Sequence, residues 1–482
     1  MGPRRPAAAP IRFGTSGWRG ILGDEISEPR TAAVVSAVAD WLAEQGGRGP
    51  VLVAHDRRFG GERLARLAVR VLAARGVDAR RARGAVPTPA VARAVLREGA
   101  RAALVFTASH NAPSDHGLKV LDAAGGSVPP RASARIETFA AAALDAGPPP
   151  LAPAGAGSRD LVAPYLRDLA ALLDGRALAR AGLAVAYDAM HGAGAGVLDE
   201  ALRRAGVRVA VRRGAPDLRF GGVAPDPLPE RLAELRRAVA RDRRVLLGLA
   251  TDGDADRFAA IDADGRPLSA AHGVALLVDH LARTGRARRG VAISTATGSF
   301  VERVAAWHGL AVTRHPIGFK HLTAALAAGA ADVAGEESGG FALGAFARDK
   351  DGILAGCLLA ELVASSGGPL GRRLRALERR LGASACGASA VPAGPRSRDA
   401  LARLREAPPE RVLGARVREV DVREGLRLGL DDGFLMLRAS GTEGLLRVYA
   451  EAPDARGLVR RLRQGRAWLG ARVDERAPGG YP

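Results

Sequence analysis

Short, mostly apolar runs alternate with longer stretches of helical spacing from residue 31 to the region of residue 385. The runs fall at 51–54, 102–106, 183–187, 245–250, 291–294 and 331–334. Runs of this kind, bounded by turn residues, read as strands buried on both faces. Between them, 31–43 and 62–74 carry apolar residues at helical spacing, and Val86-Pro87-Thr88-Pro89 starts another helix. The alternation is that of an α/β protein. Three βα units of similar size suggest distant repeats. The Pro-, Gly- and Ala-rich stretch 148–157 marks the first boundary. From about residue 388 the pattern changes to helix, strand, strand, loop, strand, helix.

Several runs end abruptly in small or charged residues, and the carboxyl ends of strands are where open α/β sheets place their ligands. The run 102–106 delivers Thr107-Ala108-Ser109-His110-Asn111, which holds the chain's only asparagine, with Lys119 ten residues beyond Ser109. Ser109 is the candidate phosphoryl carrier. The run 245–250 delivers Thr251-Asp252-Gly253-Asp254-Ala255-Asp256-Arg257. Aspartates at i, i+2 and i+4 of an extended loop point the same way, and three like charges at close range call for a hard cation such as Mg²⁺. A calcium EF-hand loop would need Gly and Glu where Arg257 and Ala263 stand. The run 331–334 leads into Gly335-Glu336-Glu337-Ser338-Gly339-Gly340, whose carboxylates and hydroxyl suit the hydroxyls of a sugar. Near the end, 434–437 leads into Arg438-Ala439-Ser440-Gly441-Thr442-Glu443-Gly444, which with Arg447 makes a cradle for a dianionic phosphate.

Composition narrows the partners. The net charge of +20 comes almost wholly from arginine, and aromatic residues make up only 4%, too few to stack bases, so nucleic acid is not an expected partner. A positive field does suit a phosphorylated small molecule. The three lysines, Lys119, Lys320 and Lys350, all fall beside candidate loops, and lysine can titrate near neutrality where arginine cannot. Cys357 and Cys386 form no CxxC motif, the start 1–10 carries no secretory pattern, and no apolar run reaches membrane-span length. A cytoplasmic protein with free thiols is the expectation. The stretch 188–196 tempts a dinucleotide reading, but Val197 and Asp199 stand where the last glycine of GxGxxG belongs, and no Walker motif occurs. His191 there reads as a loop-positioning residue. His55-Asp56-Arg57-Arg58 closes the strand 51–54.

Taken in order, the four loops resemble those of the α-D-phosphohexomutase superfamily, the phosphoglucomutases and phosphomannomutases, over essentially the whole chain. The resemblance implies four domains around a central cleft, three related α/β domains and a smaller C-terminal α+β domain, placed at 1–150, 158–268, 269–385 and 388–482. It implies phosphorylation of Ser109, with His110, Lys119 and Arg257 completing the catalytic set and Lys119 in the proton-transfer role. Mg²⁺ would be held by Asp252, Asp254 and Asp256 with the Ser109 oxygen. Arg19, Gly318, Lys320, Glu336, Ser338, Lys350, Arg438, Ser440, Gly441, Thr442 and Arg447 would bind the substrate. The implied reaction interconverts hexose 1-phosphate and hexose 6-phosphate through a bisphosphorylated sugar such as glucose 1,6-bisphosphate, in a monomer or homodimer.

The chain departs from that family at Ala112, Ala439 and Gly444, where prolines are usual, at His116, where asparagine is common, and at Gly340, where one branch has histidine. Glu337 and Lys350-Asp351-Gly352 resemble glucose-using members. A phosphoglucosamine mutase, a serine-dependent sugar phosphatase requiring Mg²⁺ and an inactive sugar-phosphate-binding regulator are the alternatives.

Overall fold

A computed structural model describes residues 10–14, 17–153, 157–439 and 444–474. Its first three domains repeat one four-stranded unit. In each, two parallel neighbours flank a central strand, and one neighbour pairs antiparallel with a fourth strand. The strand orders are Ala79–Ala82, Val51–His55, Ala102–Phe106, Asp115–Asp122; then Arg208–Arg212, Ala184–Asp188, Val245–Thr251, Phe258–Asp262; then Ala311–His315, Gly290–Ser294, Val333–Gly335, Phe341–Leu343. The serine, aspartate and glutamate loops therefore occupy one topological position, each joining the third strand to the fourth. The expected repeat is visible in this topology.

The strands Val51–His55, apolar up to its final histidine, and Ala102–Phe106, apolar throughout, are buried at every residue because helices cover both faces of the sheet. The first sheet extends to seven strands. Phe13–Gly14 and Gly17–Ile21 add at the Asp115–Asp122 edge, and Ser158–Arg159 pairs with the Arg81 to Ala82 end of the opposite edge. Residues 158–159, expected in the second domain, thus complete the first sheet.

Two further differences have local causes. The glycine-rich stretch after Asp188 does not open a helix at once, because its turns back the aspartate loop, and helix begins at Leu198–Arg204. A Cβ on Gly192 would lie 2.8 Å from the carbonyl oxygens of both Asp252 and Gly253. The fourth domain begins with a strand, Ala385–Pro392, rather than with its helix Pro395–Glu406. That strand is the edge of a five-stranded antiparallel sheet and pairs with Leu445–Ala452, so residue 385 belongs to the fourth domain, not the third.

The first three domains share a continuous core, and the fourth has its own, centred on Leu426, Leu435, Leu437 and Val448. The helix Gly352–Ser366 joins the second and third domains. Residues 352–363 are buried on every side, as befits a helix apolar all round. It packs on Val245–Thr251 and Leu198–Arg204 of the second domain and on Ala270–Arg283 of the third. Among the described residues no single helix is long and apolar enough to cross a membrane.

Glu361 pins this helix. Its carboxylate accepts from His280 Nε2 at 2.7 Å and from the Asp174 amide at 2.9 Å, and it also meets Arg286. Burial opposes its charge, but these donors outweigh burial and bring its pKa down to about 2 from the ordinary 4.5. A carboxylate whose pKa is depressed on folding stabilises the fold above the unfolded value and loses that contribution as pH falls toward the folded one. Urea melts taken from about pH 5 down to about pH 3 should therefore show the Glu361→Gln variant losing less stability than the parent. Parallel pH dependences would contradict this.

Candidate active site

Ser109 lies just past the strand Ala102–Phe106, 1% exposed, with φ at +53°. That left-handed conformation turns the side chain toward the second domain, where Ser109 Oγ donates to Asp252 Oδ2 at 2.7 Å. Thr107 Oγ1 accepts the Ser109 amide at 2.8 Å and donates to Asp56 at 2.6 Å. His110 Nδ1 is 3.3 Å from Ser109 Oγ, and burial together with Arg257 and Arg19 holds this imidazole well below its usual pKa. Arg19 donates to the Asn111 side chain at 2.9 Å.

Asp252, Asp254 and Asp256 are all buried, and each offers a carboxylate oxygen within 4.8 Å of the others. Lys119, on the strand Asp115–Asp122, reaches Asp254 at 2.5 Å and Asp256 at 2.6 Å. Lys350 is 3.3 Å from Asp256, and the Arg257 amide donates to Asp252 at 3.1 Å. Burial and the two neighbouring carboxylates push the Asp252 carboxyl well up. Burial also opposes the charge of Asp256, but Lys119, Lys350 and Arg257 outweigh it and bring that pKa down. Burial likewise opposes the Lys119 ammonium, and Asp254 and Asp256 more than reverse this. The donor set fits a hard cation. It is all oxygen, three carboxylates face one point, and Asp254 Oδ1 and Asp256 Oδ1 are buried without a hydrogen-bond partner among the described residues.

The third domain closes against this cluster. Arg257 forms a bridge with Gly340, and the Phe258 amide donates to the Gly339 carbonyl at 3.0 Å, so the aspartate and glutamate loops share backbone contacts. Ser338 donates to Glu336 at 2.5 Å, and Ser294 donates to Glu337. Burial and the neighbouring Glu336 lift the Glu337 carboxyl to about 7. At Gly340 a Cβ would lie 2.5 Å from Lys350 Cδ and 2.8 Å from Glu336 Oε1. Lys350 thus fills the space that a side chain at 340 would need.

In the fourth domain, Arg438 and Arg447 face each other across adjacent antiparallel strands. Like charges in that position repel unless an anion lies between or beside them. Glu424 supplies one negative charge. It accepts from Arg438 Nε at 2.8 Å and from the Ile317 amide, next to Gly318 and the half-buried Lys320. Ser440, Gly441 and Thr442 lie outside the described residues.

Side chains expected from sequence thus come together from the first, second and third domains. The sequence alone assigns no role to Asp56, Arg58, Glu424, Asp226, which lies 4.0 Å from Arg257, or Thr88, whose hydroxyl donates to Asp254 at 2.5 Å. The strand end His55-Asp56-Arg57-Arg58 did carry a signal, four polar residues closing a buried strand. Glu424 sits in a polar loop that looks like any solvated turn, and Asp226 lies in a proline-rich stretch between Pro225 and Pro229.

Three copies of one α/β unit and an antiparallel fourth domain, with charged loops converging on one cleft, are the architecture of a phosphohexomutase. Family models described as phosphoglucomutase/phosphomannomutase α/β/α domains I, II and III match residues 10–145, 163–265 and 271–381, and the C-terminal domain model matches 390–465. A phosphoglucosamine mutase of Mycolicibacterium paratuberculosis is 31% identical over 452 residues, covering 92% of this chain and 95% of that protein. A phosphoglucomutase/phosphomannomutase of Thermococcus kodakarensis is 28% identical over 91% of this chain and 94% of its own length. Among solved structures, a phosphomannomutase candidate from Thermus thermophilus superposes with a TM-score of 0.83 at 30% identity, covering 96% of this chain and all of that one. The chain belongs to the phosphoglucomutase/phosphomannomutase family of the α-D-phosphohexomutases.

Proposed function

We propose that the protein interconverts hexose 1-phosphate and hexose 6-phosphate through phosphorylated Ser109, with glucose as the favoured sugar. The observation that carries this reading is the 2.7 Å contact of Ser109 Oγ with Asp252, which sets a strained, buried serine against three carboxylates and Lys119. Phosphoserine transfers its phosphoryl group to the free hydroxyl of the bound sugar phosphate, giving a bisphosphorylated sugar. The sugar then turns over in the cleft and returns its other phosphate to Ser109.

Arg438 and Arg447 hold the phosphate that is not reacting, displacing Glu424 from Arg438. Glu336 and Ser338 orient the sugar hydroxyls, and Gly318, Lys320 and Lys350 line the third-domain side. Lys119, whose ammonium Asp254 and Asp256 hold, is assigned the proton exchange with the reacting hydroxyl. His110, kept neutral, and Arg19 bracket the serine loop, and Arg257 joins the aspartate loop to the sugar loop. Asp252, Asp254 and Asp256, with the Ser109 oxygen, would hold Mg²⁺, which supplies neutralisation of the charge that develops on the transferring group.

Glucosamine phosphate is the second reading, favoured by the names of relatives 31% identical to this chain. The deciding experiment supplies Mg²⁺ and a trace of glucose 1,6-bisphosphate and offers glucose, mannose and glucosamine phosphates in parallel, with free phosphate monitored. Isomerisation fastest on glucose 1-phosphate without phosphate release is the expected result. Faster turnover of glucosamine phosphate would move the assignment to that sugar, and phosphate release without isomerisation would make the protein a phosphatase.

A further inference from the structure

We infer that Arg58 is a positioning residue that fixes the Ser109 loop in its phosphoryl-carrying shape. This rests on the reading of Ser109 as the phosphoryl carrier. The Arg58 side chain is 1% exposed, and its four terminal N–H groups each have an acceptor. One terminal nitrogen donates to the carbonyls of Ala112 at 2.7 Å and Asp115 at 2.9 Å. The other donates to those of Ser109 and Asn111, both at 2.7 Å. One guanidinium therefore ties the carbonyls of four of the seven residues between 109 and 115 to a single point.

The remaining contacts hold that point in place. Asp56 lies 3.4 Å from Arg58 Nε, accepts the Arg58 amide at 2.9 Å, and accepts from Thr107, whose oxygen takes the Ser109 amide. The Phe220 ring of the second domain stacks on the guanidinium at 5.1 Å. On the far side, the Gly253 position comes so close to the Ser109 carbonyl that a Cβ there would lie 2.5 Å from it. The carbonyl is gripped between Arg58 and the aspartate loop, and this holds a non-glycine residue in the left-handed region, which such residues rarely adopt unheld. The next residue back, Arg57, donates to the carbonyls of Gly214 at 2.8 Å and Ala195 at 3.1 Å in the second domain. Two consecutive arginines thus set the serine loop and the domain carrying the carboxylates relative to each other. A lysine has three donors on one nitrogen and cannot span four carbonyls.

The test compares the parent with Arg58→Lys and Thr107→Val in the full chain, each first treated with glucose 1,6-bisphosphate. The phosphate on Ser109 is read by mass spectrometry, folding by thermal melting, and turnover of glucose 1-phosphate as kcat and KM separately. A loop out of place should cost roughly 100-fold in kcat for Arg58→Lys, and KM should stay within about threefold because the fourth-domain phosphate cradle is untouched. Thr107→Val, which loses the acceptor for the Ser109 amide and the donor to Asp56, should lose kcat in the same sense by about tenfold. A folded Arg58→Lys enzyme with parental kcat, or one changed only in KM, would overturn the inference. If Arg58→Lys does not fold, parental kcat in Thr107→Val would do so. A parent protein that never acquires phosphate on Ser109 would instead bring down the functional reading itself, and that is seen before any variant is made.

Discussion

Ser109→Ala should abolish isomerase activity by at least roughly a thousand-fold while leaving the melting temperature within a degree or two of the parent. The hydroxyl makes one short hydrogen bond, to Asp252, and fills little volume, so the fold has little to lose. Chemically, the other nucleophilic side chains nearby, the Thr88 hydroxyl on Asp254 and the His110 imidazole, are not set against Asp252 as Ser109 is. Asp252, Asp254 and Asp256 are tied to Ser109, Lys119, Lys350, Thr88 and the Arg257 amide. Incubation with glucose 1,6-bisphosphate should add one phosphate to the parent and none to the variant. Activity retained in Ser109→Ala would assign phosphoryl carriage to another group.

Chelation of divalent metal should have the next largest effect. Three buried carboxylates meet three cations in their immediate shell, Lys119, Lys350 and Arg257, so the bare cluster is close to neutral. A phosphoserine would add nearly two negative charges to this low-dielectric site, and a divalent cation restores the balance. Metal and phosphate should therefore bind cooperatively, with Mg²⁺ held more tightly by the phosphorylated form in titration calorimetry. Removing metal withdraws several kcal/mol of charge stabilisation in the transition state, which at 1.36 kcal/mol per tenfold is roughly 100- to 1,000-fold in rate. Mg²⁺ should also raise the melting temperature of the parent but not of Asp254→Asn. Equal shifts in the two proteins would place the metal elsewhere.

The strands that carry the loops were legible in the sequence because a strand covered on both faces must be apolar throughout, and 102–106 and 245–250 are. The chemistry at their ends was legible for the same reason, since Ser109 and Asp252 come within three residues of runs that carry no polar side chain. Ala385–Pro392 was not legible. Its residues are small and only half-buried, Gly387 interrupts it, and its partner Leu445–Ala452 lies more than fifty residues away. Arg58 was hidden for a different reason. In a chain whose charge is nearly all arginine, one that turns inward to bind carbonyls looks like the many that face solvent, and only the fold separates them.

The helix Gly352–Ser366 ties the order of synthesis to the order of stability. The aspartate loop is translated by residue 257, yet one face of the sheet that bears it stays uncovered until a helix a hundred residues later leaves the ribosome. Until then, Leu198 and Leu249 face water or whatever guards the nascent chain against aggregation. The second domain is thus a unit of topology but not of folding, and the boundary that the repeats draw around it is one that the emerging polypeptide cannot use.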